Sequence, residues 1–187
     1  GEEAMLKGGK EHRIALEIVE LCGHLPLTLA IAGGMVSNNP EGFTNSIVEL
    51  MSEDHLREQD DDVDDGTTLE ERVITSSLKM IRDKSKTSDL TVKIFMFFAV
   101  FPEDVPVPAG VFRVLASMLA DQQNKNKANI LIGTSLSTLV KYNLLKGSLM
   151  ANSGVFMHDI VRDYVIHQHS FDGLRALQKS VVDAILA

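Results

Sequence analysis

The sequence predicts a mainly α fold: a helical-bundle domain followed by a second helical domain that carries a small β-hairpin. Three observations point there. Hydrophobic residues make up 44% of the 187 residues, yet aromatics only 5% and Trp none, which favours aliphatic packing between helices. Apolar residues recur at the helical period of about 3.6 in one segment after another. Two short apolar runs flank Asn152-Ser153-Gly154, a residue choice suited to a hairpin turn.

The elements follow in order. Ile14, Ile18 and Cys22 recur every fourth residue, with Ala15 and Val19 beside them, which predicts a helix over 13–22. Gly23 stops it at the position where a left-handed residue is tolerated. Pro26 suits the first turn of the next helix, where its missing N–H is no loss. That helix runs to about Val36 and is apolar almost all round, the pattern of a helix that is buried or awaits a partner. Asn38-Asn39-Pro40 ends it, and a helix over about 41–56 places Phe43, Ile47, Leu50 and Met51 on one face. Residues 53–66 form an acidic loop in which Asp60, Asp61, Asp62, Asp64 and Asp65 repel one another and favour solvated chain. A helix over 69–83 carries Leu69, Val73, Ser76, Ser77 and Met80. The polar run Lys84-Ser85-Lys86-Thr87-Ser88 is the best domain boundary.

Asp89 can N-cap a helix over 90–101, where Leu90, Ile94, Phe97, Phe98 and Phe101 keep the helical period. Pro102, Pro106 and Pro108 forbid its continuation. Helices over 108–120 and 129–142 come next, then strands over 144–150 and 155–157. Three helices followed by a hairpin are the order of a winged helix. A helix over 159–168 and a last one over 173–186, with Leu174, Leu177, Val181 and Ile185, complete the chain. The domains read as 1–84, helical; 88–170, winged helix; and 171–187, the start of a further helical module.

Composition excludes several classes. No apolar run approaches the ~18 residues a membrane helix needs. Cys22 is the only cysteine, so no internal disulfide or Cys-rich zinc site can form, and a reducing compartment such as the cytoplasm fits. The formal charge of −8 sits mostly in residues 1–87 and weighs against nucleic acid there. Asp60, Asp62, Asp64 and Glu71 fall at ligand spacings of a calcium loop, but Asp65 stands where that loop requires glycine. The histidines fit no metal-ligand spacing. A P-loop ending at Gly9-Lys10 would need glycine at Ala4 and a hydroxyl at Glu11, so no phosphate-binding loop is present. No catalytic constellation is evident. The first residue is Gly1 rather than Met, which suggests an excised piece of a longer protein.

Three segments remain. Cys22-Gly23-His24-Leu25-Pro26-Leu27-Thr28-Leu29 reads by itself as a helix–helix junction. Phe101-Pro102-Glu103-Asp104 reads as a helix end. Met157-His158-Asp159 reads as a strand end, an exposed His and an Asp placed to cap a helix. In this order and spacing they resemble the C-terminal half of an NB-ARC ATPase module, the STAND-class nucleotide switch of plant disease-resistance receptors and apoptotic adaptors. The resemblance covers roughly residues 10–167. It implies ADP/ATP as the cofactor, bound mainly by a domain missing from this chain. It implies contact of Leu25 and Pro26 with adenine, and of His158 with a diphosphate, Asp159 fixing the helix start. A helix N-terminus with an imidazole donor suits a phosphate. The resemblance also implies partners: the parent's own nucleotide-binding domain, and self-association when active. It implies no membrane, no ATPase activity in this chain alone, and a slow ATPase in the parent. His24 stands where the family usually has a second glycine, which puts purine affinity in question. Two other readings stay open. A winged-helix DNA-binding protein would use helix 129–142, with Lys125, Lys127, Lys141 and Lys146 near it but no Arg for guanine. A protein–protein scaffold would have no nucleotide role.

Overall fold

The computed structural model describes residues 9–56, 67–84, 87–114, 116, 125–150 and 153–186. The fold is mainly α, with one small three-stranded antiparallel sheet. The chain divides into two compact units, 1–80 and 81–187.

The first unit contains α1 (Lys10–Leu21), α2 (Pro26–Ser37), α3 (Asn45–Leu56) and most of α4 (Leu69–Lys84). Its core is aliphatic: Ile14 and Ile18 of α1, Ile31 and Met35 of α2, Ile47 and Met51 of α3, and Val73 and Ile74 of α4 are all buried. α1 packs on α3. α3 starts four residues later than its apolar period suggests. Gly42 is left-handed (φ 66), and the Asn39 side chain donates to Gly42 O at 2.9 Å and to Thr44 Oγ1 at 3.0 Å. Residues 39–44 are thereby held in a turn, and the helix begins after it. The aspartates of the acidic loop lie outside the described residues. Glu71 serves the start of α4: its carboxylate accepts the Thr68 N–H at 3.0 Å, and Glu71 N–H donates to Thr68 Oγ1 at 3.2 Å. This reciprocal capping box starts α4.

The second unit contains α5 (Ser88–Phe97), a 3-10 turn (Phe98–Val100), β1 (Val107–Pro108), α6 (Ala109–Val114), α7 (Lys125–Lys141), β2 (Lys146–Gly147), β3 (Gly154–Phe156), α8 (Asp159–His167) and α9 (Phe171–Leu186). Thr87, not Asp89, occupies the N-cap of α5; Asp89 lies in the first turn, where its charge suits the helix dipole. Residues 98–100 of the expected helix tighten into the 3-10 turn, and Phe101 leaves it with extended backbone. Phe101 contacts Phe97, Phe98 and Phe112, ring centroids 5.7–5.8 Å apart, in the edge-on geometry that aromatic quadrupoles favour. α5 packs on α7. α8 and α9 both pack on the 3-10 turn.

The sheet order is β1-β3-β2, all antiparallel, with Val107 opposite Val155 and Lys146 opposite Phe156. β1 corrects the expectation of helix from residue 108. Pro108 has no N–H to give a ladder, but β1 is an edge strand, where proline is tolerated. α6 follows, and the described helix stops at Val114 with residue 116 also helical. The hairpin is shorter than expected, and Gly154 lies within β3 rather than in the turn. A Cβ there would come within 2.9 Å of the Pro106 and Val107 backbone, so glycine is required for β1 to approach β3. α7 ends like α1. Asn143 is left-handed (φ 57), its N–H donates to Val140 O at 3.0 Å, and Leu144 N–H donates to Leu139 O at 3.0 Å. These two bonds are the Schellman closure of a helix.

Candidate functional site

The α1–α2 turn carries Leu25 and Pro26. α1 closes by the same pair of bonds: Gly23 N–H to Glu20 O at 2.9 Å and His24 N–H to Val19 O at 3.3 Å. Gly23 is left-handed (φ 57), and a Cβ on it would meet Leu69 Cδ2 at 2.5 Å. His24 is left-handed as well (φ 59), a conformation costing a non-glycine residue about 1 kcal/mol or more. Its ring does not crowd the turn. It lies exposed, Nε2 3.4 Å from Glu20 Oε2. Thr28, a residue to which the sequence assigns no role, staples the turn from within. Its buried hydroxyl sits 2.7 Å from Cys22 O and 2.8 Å from Leu25 O. Pro26 is the first residue of α2, and both it and Leu25 are exposed.

Cys22 is fully buried behind this turn, and burial pushes its thiol up to about 11, with the Thr28 hydroxyl acting in the opposite direction. The folded thiol keeps its proton where the unfolded one ionises. Its contribution to stability is therefore complete below about 9 and lost as pH rises towards 11. Since the thiolate is the nucleophile, a thiol reagent at pH 8 is expected to modify Cys22 only at the rate of opening of the first unit. Modification at the rate of a small free thiol would disprove this protection.

Met157-His158-Asp159 lies where β3 runs into α8. Met157 is buried, and His158 and Asp159 are 42% and 53% exposed at their side chains. His158, not Asp159, is the N-cap residue of α8, with extended backbone and no side-chain capping bond. Asp159 is the first helical residue, and its Oδ1 accepts the Ile160 N–H at 2.7 Å. The same oxygen pairs with His158 Nδ1. Nδ1 is closed off from solvent and makes no well-directed hydrogen bond, so the link is a close contact between carboxylate and ring. The Asp159 carboxylate occupies the Nδ1 side of the ring. Nε2 then remains for a ligand, as a donor when the ring is an imidazolium.

Phe101-Pro102-Glu103-Asp104 lies against this junction. Asp104 is left-handed (φ 54), and its N–H donates to Met157 O at 3.1 Å. Arg162 of α8 donates through Nε to Phe101 O at 2.7 Å, and its Nη1 is 3.9 Å from Glu103 Oε2. The two segments that the sequence keeps far apart are thus hydrogen-bonded neighbours, and Arg162 is a residue that spacing does not reveal.

Leu25 and Pro26 belong to the first unit, His158 and Asp159 to the second. An open groove of about 610 Å³ lies on the sheet, lined by Pro106, Pro108, Gly147, Ser148, Ser153, Gly154 and Phe156. These side chains offer no acid or base. Among the described residues no group of three or more His, Cys, Asp or Glu could hold a metal ion. No helix among them is long and apolar enough to cross a membrane.

No family model matches the chain. Over 156 residues it is 26% identical to a probable disease resistance protein of Arabidopsis thaliana. The match takes in 81% of this chain and 18% of that relative, so the chain spans under a fifth of the relative's length.

Proposed function

We propose that this chain is the regulatory half of an ADP/ATP-dependent switch in a cytoplasmic defence-signalling protein of the NB-ARC type. In this reading residues 1–84 are its helical domain, 88–170 its winged-helix domain and 171–187 the start of a further helical module. The similarity to a plant disease-resistance protein supports the family. The observation that carries the nucleotide role is the His158 junction. His158 holds the N-cap position of α8 while Asp159 faces Nδ1, so Nε2 is available at the positive end of a helix, where a phosphate is favoured. Pro26 offers a rigid, exposed, donor-free ring to a purine, and Leu25 adds apolar surface beside it. The phosphates are held mainly by a nucleotide-binding domain elsewhere in the parent chain. Exchange of ADP for ATP frees the winged helix and permits self-association.

The test is nucleotide retention. The full-length parent, purified and then denatured, should release bound ADP. Pro26→Ala should lower that yield while costing the fold about 1 kcal/mol or less, the usual effect of a turn proline through the unfolded state. Equal ADP in mutant and wild type would leave Pro26 a helix-starting residue and nothing more. A parent that carries no nucleotide at all would favour the scaffold reading.

A further inference from the structure

The junction that holds His158 is short. β3 has three residues, and Met157 and His158 lie between it and the first turn of α8. Two hydrogen bonds reach this junction from the 101–104 segment: Asp104 N–H to Met157 O, and Arg162 Nε to Phe101 O. The accepting end of the second bond is fixed, because the Phe101 ring is packed among Phe97, Phe98 and Phe112. Its donating end is on the same turn as His158, since Arg162 N–H bonds His158 O at 2.9 Å. Arg162 therefore joins an aromatic anchor to the imidazole's own peptide.

The placement is not one that serves the helix. A cation near a helix N-terminus stands against the dipole, and Arg162 is the fourth residue of α8. Glu103 offsets that charge weakly, at 3.9 Å and with its side chain 57% exposed. The short bond to the Phe101 carbonyl is what gives the guanidinium its place. Asp104 holds a left-handed backbone (φ 54) beside it, a conformation that persists where surrounding contacts enforce it.

We infer that Arg162 is a positioning residue for His158, holding the α8 N-terminus against the 101–104 turn so that the ring meets the diphosphate. This rests on the switch reading above, and the experiment separates the two. ADP off-rates are measured in the full-length parent for His158→Ala, Arg162→Met, Arg162→Lys and the His158→Ala/Arg162→Met double variant. Arg162→Met should raise the off-rate roughly three- to tenfold. Arg162→Lys should fall between it and wild type, because an ammonium keeps the charge but not the guanidinium's geometry. The double variant should release ADP no faster than His158→Ala, as expected for residues acting through one contact. In 15N-histidine-labelled protein, Arg162→Met should move the His158 ring signals, which a loss of bulk stability alone would not do.

An unchanged off-rate in Arg162→Met, with His158→Ala raised, would overturn the positioning role and leave the switch reading intact. So would effects that add in the double variant. If His158→Ala itself has no effect, the switch reading fails and this inference falls with it. If Arg162→Met does not fold, Arg162→Lys decides: wild-type release from it would overturn the proposal.

Discussion

Replacing His158 by Ala, or Asp159 by Val, in the full-length parent is expected to speed ADP release by about tenfold to a hundredfold and to populate the assembled form without an upstream signal. A hydrogen bond from an ionised ring to phosphate contributes roughly 1.5–3 kcal/mol. Loss of that much from the ADP-bound state shifts a two-state equilibrium by about one to two powers of ten. His158→Ala removes the donor outright. Asp159→Val acts at one remove. It removes the carboxylate facing His158 Nδ1 and deprives the Ile160 N–H of its acceptor, so the ring loses its neighbour and the first turn of α8 loosens. Asp159→Asn keeps an acceptor for Ile160 but not the charge facing Nδ1, and should fall between wild type and valine. The measurements are the ADP off-rate and the oligomer fraction by gel filtration. If both substitutions leave these unchanged in a folded protein, His158 is a surface histidine and the nucleotide role proposed for it is wrong.

The helices were legible because each buries one face. Ile14 and Ile18, or Ile132, Leu136 and Leu139, repeat at a spacing that water alone would not select. Gly23 was legible as a helix stop because glycine relieves a left-handed strain. Asn143 plays the same part at the end of α7, less visibly, because asparagine has other uses. The capping box was present in the sequence as Thr68-x-x-Glu71, but Glu71 also continued the spacing of the nearby aspartates. β1 could not be read: two residues among three prolines carry no period, and their pairing with β3 is formed across almost fifty residues of chain. The same holds for the site. Met157-His158-Asp159 stands out locally, whereas its tie to Phe101-Pro102-Glu103-Asp104 depends on Arg162, 61 residues from the carbonyl it bonds. A contact of that span follows from the packing of α8 on the 3-10 turn, which no local pattern encodes.

Gly147→Ala should be among the most disruptive single-methyl changes in the second unit, lowering its stability by about 3 kcal/mol. Gly147 has φ +100, and an added Cβ would lie 2.2 Å from Gly154 O and 3.2 Å from Val155 Cα. These are backbone atoms of the strand it pairs with, not the movable end of a side chain. Relief requires β2 to leave β3, with loss of the Gly147–Val155 register and of the Ser148 N–H to Gly154 O bond at 3.0 Å. Backbone strain of this kind costs of order 1–3 kcal/mol, and overpacking typically another 1–3. That is a large share of the roughly 5–15 kcal/mol that holds a domain folded. The unit has a convenient reporter, since both tyrosines, Tyr142 and Tyr164, lie in it and the chain has no Trp. Urea unfolding followed by tyrosine fluorescence should show the midpoint falling by about 1–2 M. Gly133→Ala is the control. Gly133 lies inside α7 with nothing within 4 Å of its added Cβ, so the midpoint should hold or rise, alanine being better in a helix by up to about 1 kcal/mol. Because β3 leads straight into His158, an opened β2–β3 pair should also quicken ADP release in the parent. A Gly147→Ala variant with the wild-type urea midpoint would mean that the close approach of β2 to β3 does not hold in solution, and with it the strand support for the His158 junction.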